Sequence, residues 1–282
     1  MIIIHHDDYD GRCSAALVKL KHPGARLHAI DYKDNFPIQS IADKEEVWLL
    51  DYCPQGALEL DFLLAKTYNV TWIDHHNTAH LKKLPGFHVL QRRAVSRDTS
   101  KSAALLTWEH LYPDAEAPQF VQLINDFDLF KFAYGEATTH FIAGISAEDT
   151  AADSPLWGKL MNDDYLFKKI IHNGKIINRA SVMAGSEYLG RWGYETVFEN
   201  HISIACNMGR PVNDLFAGVR NKYPVMIAYA YDGEKYSVSL YTTDPDIDVS
   251  EIAAKYGGGG HRGAAGFICA ELPFKKFQIQ YN

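Results

Sequence analysis

Apolar residues in the first half of the chain come in short runs, each followed by a longer stretch with helical spacing. "MIIIH" is compact and β-branched, and "CSAALVKLKH" behind it sets its apolar residues three and four apart. "RLHAID" and "EVWLLDY" repeat the strand pattern, "GALELDFLLAKTY" the helical one, and "NVTWIDHH" is a further strand. Near-continuous apolar strands alternating with amphipathic helices predict a parallel α/β sheet. "TSKSAALLTWEHLY" and "PQFVQLINDF" read as helices with Thr/Ser or Pro at their starts. A long helical stretch, "DYLFKKIIHNGKIINRASVMAGSEYLGR", carries a glycine near its middle and reads as a connector. Behind it the rhythm changes to "HISIACN", "PVMIAYAYD", "KYSVSLYTT", a short helix "DVSEIAAKYG" and a last strand in "GAAGFICAEL". The expected organisation is a parallel-sheet domain over 1–160, a helical connector over 161–194 and a smaller α/β domain over 195–282.

The 282 residues are 47% hydrophobic, enough for two cores. A formal charge of −7 argues against a stable complex with long nucleic acid, which needs excess Lys and Arg. Four dispersed cysteines without a C-x-x-C pair fit a reduced, cytoplasmic protein. The opening "MIIIHHDDYDG" turns polar too soon for a signal peptide, and no apolar run is long enough to span a bilayer.

The chemistry gathers where strands end. The first strand runs into His5-His6-Asp7-Asp8-Tyr9-Asp10-Gly11, a later one ends at Asp51, and another at Asp74-His75-His76. In a parallel sheet the carboxyl ends of the strands share one edge, where ligands bind, so these groups should converge. Carboxylates crowded together force one another to take up protons unless a cation is present. Carboxylate and imidazole donors without thiolate suit Mn²⁺, with Mg²⁺, Co²⁺ or Fe²⁺ as alternatives. His6, Asp8, Asp10, Asp51, His75 and one later aspartate exceed the needs of one ion. Two ions roughly 3.5–4 Å apart, sharing a carboxylate, are an apparatus for in-line displacement at phosphorus.

These residues resemble the DHH phosphoesterase superfamily, whose naming triplet stands here as Asp74-His75-His76. "HDDYDG" is similar to its first motif, H-x-D-x-D-G, as written in the RecJ-like and nano-RNase branches. "LLDYCP" resembles the second motif, "NDFDLFKF" the fourth, and "GGGGHRGAAGF" the glycine-rich signature of the DHH-associated C-terminal domain. The resemblance implies that His6, Asp8 and Asp51 hold one Mn²⁺, and that Asp10, Asp51, His75 and Asp128 hold the other. Asp51 would bridge. Asp126 competes with Asp128 for the last place; the aromatic segment after Asp128 favours the latter. Asp74 would orient an imidazole, and His76 would face the substrate phosphate. Gly258, Gly259 and Gly260 would expose backbone N–H groups to an anion, with His261 and Arg262 as donors.

Where many relatives write "SLRS", this chain has "SLYTT", so Tyr241 replaces a substrate-contacting arginine. Asn207, Arg210 and the basic cluster Arg92, Arg93 and Arg97 are further contact candidates. The implied activity is hydrolysis of short oligoribonucleotides to 5′-mononucleotides. Alternatives are a linear or cyclic dinucleotide or 3′-phosphoadenosine 5′-phosphate as substrate, and, in another class, a silent nucleotide- or RNA-binding module. A homodimer stays open.

Overall fold

The computed structural model describes residues 1–76, 81–91, 94–96, 98–208 and 215–276. The chain divides into two compact units, Met1–Asp128 with Ile145–Ile170, and Leu129–Gly144 with Ile171–Asn282.

In the first unit, strand β1 (Ile2–His6) leads into helix α1 (Tyr9–Lys21), followed by β2 (Arg26–Ile30), β3 (Val47–Leu50), α2 (Ala57–Lys66) and β4 (Val70–Ile73). Then come α3 (Pro85–Gln91), β5 (Ala94–Ser96), α4 (Ala103–Leu111) and α5 (Gln119–Asp128). The strands pair in the order β2-β1-β3-β4-β5, all parallel. Both faces of this sheet are covered, which is why its strands are apolar throughout instead of alternating. Ile2, Ile4, Val47, Leu49 and Trp72 face one way and pack with Leu60, Leu63 and Phe87. Ile3, Trp48, Leu50 and Ile73 face the other and meet Ala15, Val18 and Leu106. The strand order places β3 between β1 and β4, so the chain just beyond β3 is flanked on both sides by strand ends.

Helix α6 (Glu136–Ile145) leads to α7 (Pro155–Leu160) and then to the long α8 (Asp164–Trp192), which is shared between the two units. No described helix is long and apolar enough to cross a membrane. The second unit holds a six-stranded sheet built from β6 (Tyr194–Phe198), β7 (His201–Asn207), β8 (Val225–Tyr231), β9 (Tyr236–Tyr241), β10 (Gly259–Gly260) and β11 (Ala264–Cys269). Helix α9 (Val249–Lys255) lies between β9 and β10 in sequence. The order is β10-β11-β9-β8-β7-β6, with β7 and β8 parallel and the other pairs antiparallel. Ile252 and Ala253 of α9 pack with Leu240 and Phe267, while Leu189 of α8 packs with Ile204 and Met226.

Candidate metal centre

Three strand ends of the first unit supply the site. The register sets His5 beside Leu50 and Leu50 beside Ile73, so His6, Asp51 and Asp74 follow in a row across neighbouring strands. Asp51 takes a left-handed backbone (φ 55) and its N–H bonds to Ile73 O. An aspartate tolerates that conformation at a cost, and such strain concentrates at functional sites.

The donors are close. His6 Nδ1 lies 2.9 Å from Asp8 Oδ2 and 3.6 Å from Asp51 Oδ2. His75 Nε2 lies 3.3 Å from Asp51 Oδ1, 3.3 Å from Asp128 Oδ2 and 3.7 Å from Asp10 Oδ2. Of the two candidate aspartates on α5, Asp128 places Oδ2 3.3 Å from His75 Nε2. Three sets have donor atoms all within 4.8 Å of one another and share Asp51: His6, Asp8 and Asp51; Asp10, Asp51 and His75; and Asp51, Asp74 and His76.

Asp51 is 1% exposed, yet among the described residues no donor makes a well-formed hydrogen bond to either of its carboxylate oxygens, nor to the buried Oδ2 of Asp128. A buried carboxylate without donors is costly unless a cation satisfies it. The protonation states carry the same message. Burial, then the charge of Asp51, raises the Asp10 carboxyl to about 7. Burial and the Asp10 charge push Asp128 well above the usual carboxylate range. Burial alone would lower the imidazoles, but the surrounding carboxylates, Asp51 foremost, together outweigh it and raise His6 to about 11 and His75 to about 10. The donor set therefore fits divalent cations.

Neighbouring structure holds these candidate donors in place. Asp8 caps α1 by accepting from Gly11 N at 2.9 Å, leaving its other oxygen for His6. Asp10 accepts from the N–H groups of Ala103 and Ala104 at 2.7 and 2.9 Å, at the start of α4. Asp74 accepts from His76 Nδ1 at 2.7 Å and from His76 N at 3.3 Å, so it orients that imidazole and favours its charged form. Tyr32 was not anticipated. Its ring stacks on Tyr52 at 5.1 Å and stands 5.1 Å from His6 and 5.7 Å from His76. The signal was present, since β2 also runs into an aspartate, Asp31, with Tyr32 the next residue.

The remaining candidates lie in the second unit. Gly258 and Gly260 cannot carry a side chain. A Cβ on Gly258 would collide with the Gly266 carbonyl oxygen, and one on Gly260 would fall 2.6 Å from Ala265 Cα, with φ already at 139. Strand packing explains those two glycines, whereas Gly259 has open space beside it. His261 forms a tight turn with Ala264. Arg262 is turned toward Asp248 at 3.7 Å and the Pro245 carbonyl. Tyr241 ends β9 with its ring 6.1 Å from Phe130 and 5.8 Å from Phe216. Asn207 is exposed at the end of β7. Arg92, Arg93, Arg97 and Arg210 lie outside the described residues.

The protonation pattern makes a prediction for chelated protein. The folded Asp10 binds its proton up to about 7, so its contribution to stability falls as pH rises from the ordinary carboxylate value of 3.8. The His75 contribution is full below 6.5 and fades as pH rises toward 10. Melting temperature without metal should therefore drop between pH 5.5 and pH 9, and saturating Mn²⁺ should remove the drop. Melts of chelated protein that rise with pH would contradict the cation-poor description of the site.

No family model matches the chain. An uncharacterized protein of Acanthamoeba polyphaga mimivirus is 29% identical over 72% of this chain, which spans about half (49%) of that relative's length. Among solved structures, the pGpG-specific phosphodiesterase PggH of Vibrio cholerae matches 95% of this chain and 93% of its own, with TM-score 0.54 and 16% identity. The DHH domain of a protein assigned to a ribosomal-protein family matches 95% and 82%, with TM-score 0.59 and 13% identity. At such identities the likeness speaks for architecture, and this chain has the DHH-domain fold.

Proposed function

We propose that the chain is a Mn²⁺-dependent phosphodiesterase that hydrolyses short oligoribonucleotides to 5′-mononucleotides. The observation that carries this reading is Asp51, buried, short of well-placed donors and common to three clusters of candidate metal donors. His6, Asp8 and Asp51 would hold one cation, and Asp10, Asp51, His75 and Asp128 the other. When bound, the paired cations neutralise charge on a phosphodiester and acidify water. Asp74 keeps a proton at His76 Nδ1 and fixes the ring, so that a charged His76 also carries an N–H at Nε2 for a phosphate oxygen. The loop holding His261 would grip a second phosphate.

A linear dinucleotide is the second reading, favoured by the printed specificity of PggH for pGpG. One assay series separates the two. Labelled RNAs from dinucleotides to long strands, and pGpG, are incubated with Mn²⁺ with and without chelator. Cleavage of several short RNAs supports the first reading, and cleavage confined to dinucleotides the second. If none is cut while Mn²⁺ binds, both fail and a binding-only module remains. His261→Ala should raise KM for the best substrate by about tenfold, the scale of a lost charge-assisted hydrogen bond, with Mn²⁺ affinity unchanged in titrations. A change confined to kcat would remove His261 from the binding role.

A further inference from the structure

The second unit contains a cavity of about 560 Å³ lined by Tyr188, Trp192, Asn207, Met208 and Tyr229. That volume lies within the range of about 300–1,000 Å³ common to small-ligand sites. None of the five side chains is charged, and three are aromatic. Tyr188 Oη donates to the Asn207 carbonyl at 2.8 Å, and Tyr194 Oη donates to Tyr229 Oη at 3.2 Å, so both lining hydroxyls already have partners. The Asn207 side-chain amide, exposed at the end of β7, is left as a paired donor and acceptor.

Trp192 is the unusual member. The other four tryptophans are buried, while Trp192 is 57% exposed. A tryptophan held in solvent is costly, and such residues concentrate where a partner or ligand covers them. The Arg191 guanidinium, not itself part of the lining, lies 5.6 Å from the centre of its ring, so one positive charge stands beside Trp192.

We propose that this cavity is a nucleobase-binding site: a base stacks on Trp192, the Asn207 amide reads its edge, and Arg191 meets the attached sugar-phosphate. A neutral aromatic lining rejects a bare phosphate and accepts a flat heterocycle with polar edges, and stacking on exposed aromatics is how proteins hold single-stranded bases. The choice of a nucleotide among flat heterocycles rests on the function proposed for the metal centre. The site itself rests on its own lining.

The test is made on the full chain in chelator, so that no nucleotide is held through a metal. AMP, GMP and the corresponding nucleosides are titrated by calorimetry and by quenching of tryptophan emission, where Trp192 is the accessible fluorophore. Ribose 5-phosphate is the control without a base. Expected are binding of nucleosides and nucleotides, no binding of ribose 5-phosphate at the same concentrations, and at least tenfold weaker binding in Trp192→Ala and Asn207→Leu. Trp192→Phe, which keeps a ring, should retain most of the affinity. Absence of nucleoside binding, or equal binding by parent and Trp192→Ala, overturns the proposal. Mn²⁺-dependent hydrolysis of bis(p-nitrophenyl) phosphate, run in parallel, reports the metal centre alone. Hydrolysis without nucleoside binding sinks this site and leaves the function standing, while the reverse pair of results does the opposite.

Discussion

Asp51→Asn should abolish Mn²⁺-dependent hydrolysis, with a loss in kcat on the order of 10³-fold or more, because in the proposed site this residue would serve both cations. Asparagine is the informative replacement. Residue 51 has φ 55, and asparagine, unlike alanine, occupies the left-handed region readily, so the change removes charge without disturbing the β3 exit. Removing one member of a crowded carboxylate group also relieves repulsion. The metal-free variant should melt no lower than the parent and should lose the stabilisation by Mn²⁺. Both are read from melts with and without the ion. Activity surviving at saturating Mn²⁺ would dismiss Asp51 as the bridge.

Gly11→Ala should lower both stability and metal affinity. A Cβ at residue 11 would collide with the His6 carbonyl oxygen and lie 2.8 Å from its carbon, where α1 turns back over the end of β1. Backbone cannot rotate aside as a side chain can, so the helix start or the strand end must shift. Overpacking of this kind costs about 1–3 kcal/mol. The shift also reaches the proposed ligands directly, since Gly11 N donates to Asp8 and Asp8 stands 2.9 Å from His6. Displacing groups that orient metal ligands weakens affinity by about 10–100-fold. Calorimetry with Mn²⁺ and thermal melts measure the two effects separately. Parental values in both would show that the β1–α1 junction has slack.

The gathering of His6, Asp8, Asp10, Asp51 and His75 was legible because parallel strands must end along one edge, which turns scattered residues into neighbours. What secures them was not legible. The grip of Ala103 and Ala104 on Asp10 spans more than 90 positions, and no local pattern encodes it. Strand β6 escaped notice because its hairpin turns on Glu199 and Asn200, both at positive φ (47 and 67), instead of the glycine pair that marks such turns. Phe130 and Phe132 likewise take left-handed backbones without a glycine to announce them. The glycine-rich tail read as an opening for an anion, but Gly258 and Gly260 also answer to strand packing, and Arg262 has partners of its own.

All the proposed metal ligands fall between His6 and Asp128, and the first unit is completed only by Ile145–Ile170. During synthesis the whole ligand set therefore leaves the ribosome before the six-stranded sheet exists. Parallel pairing of distant segments is slow to form, and Asp51, the proposed bridge, directly follows the strand that must find two partners. Metal capture should accordingly come late in the maturation of the first unit: an ion arriving early meets separate ligands, and one arriving after the sheet has closed meets a finished site.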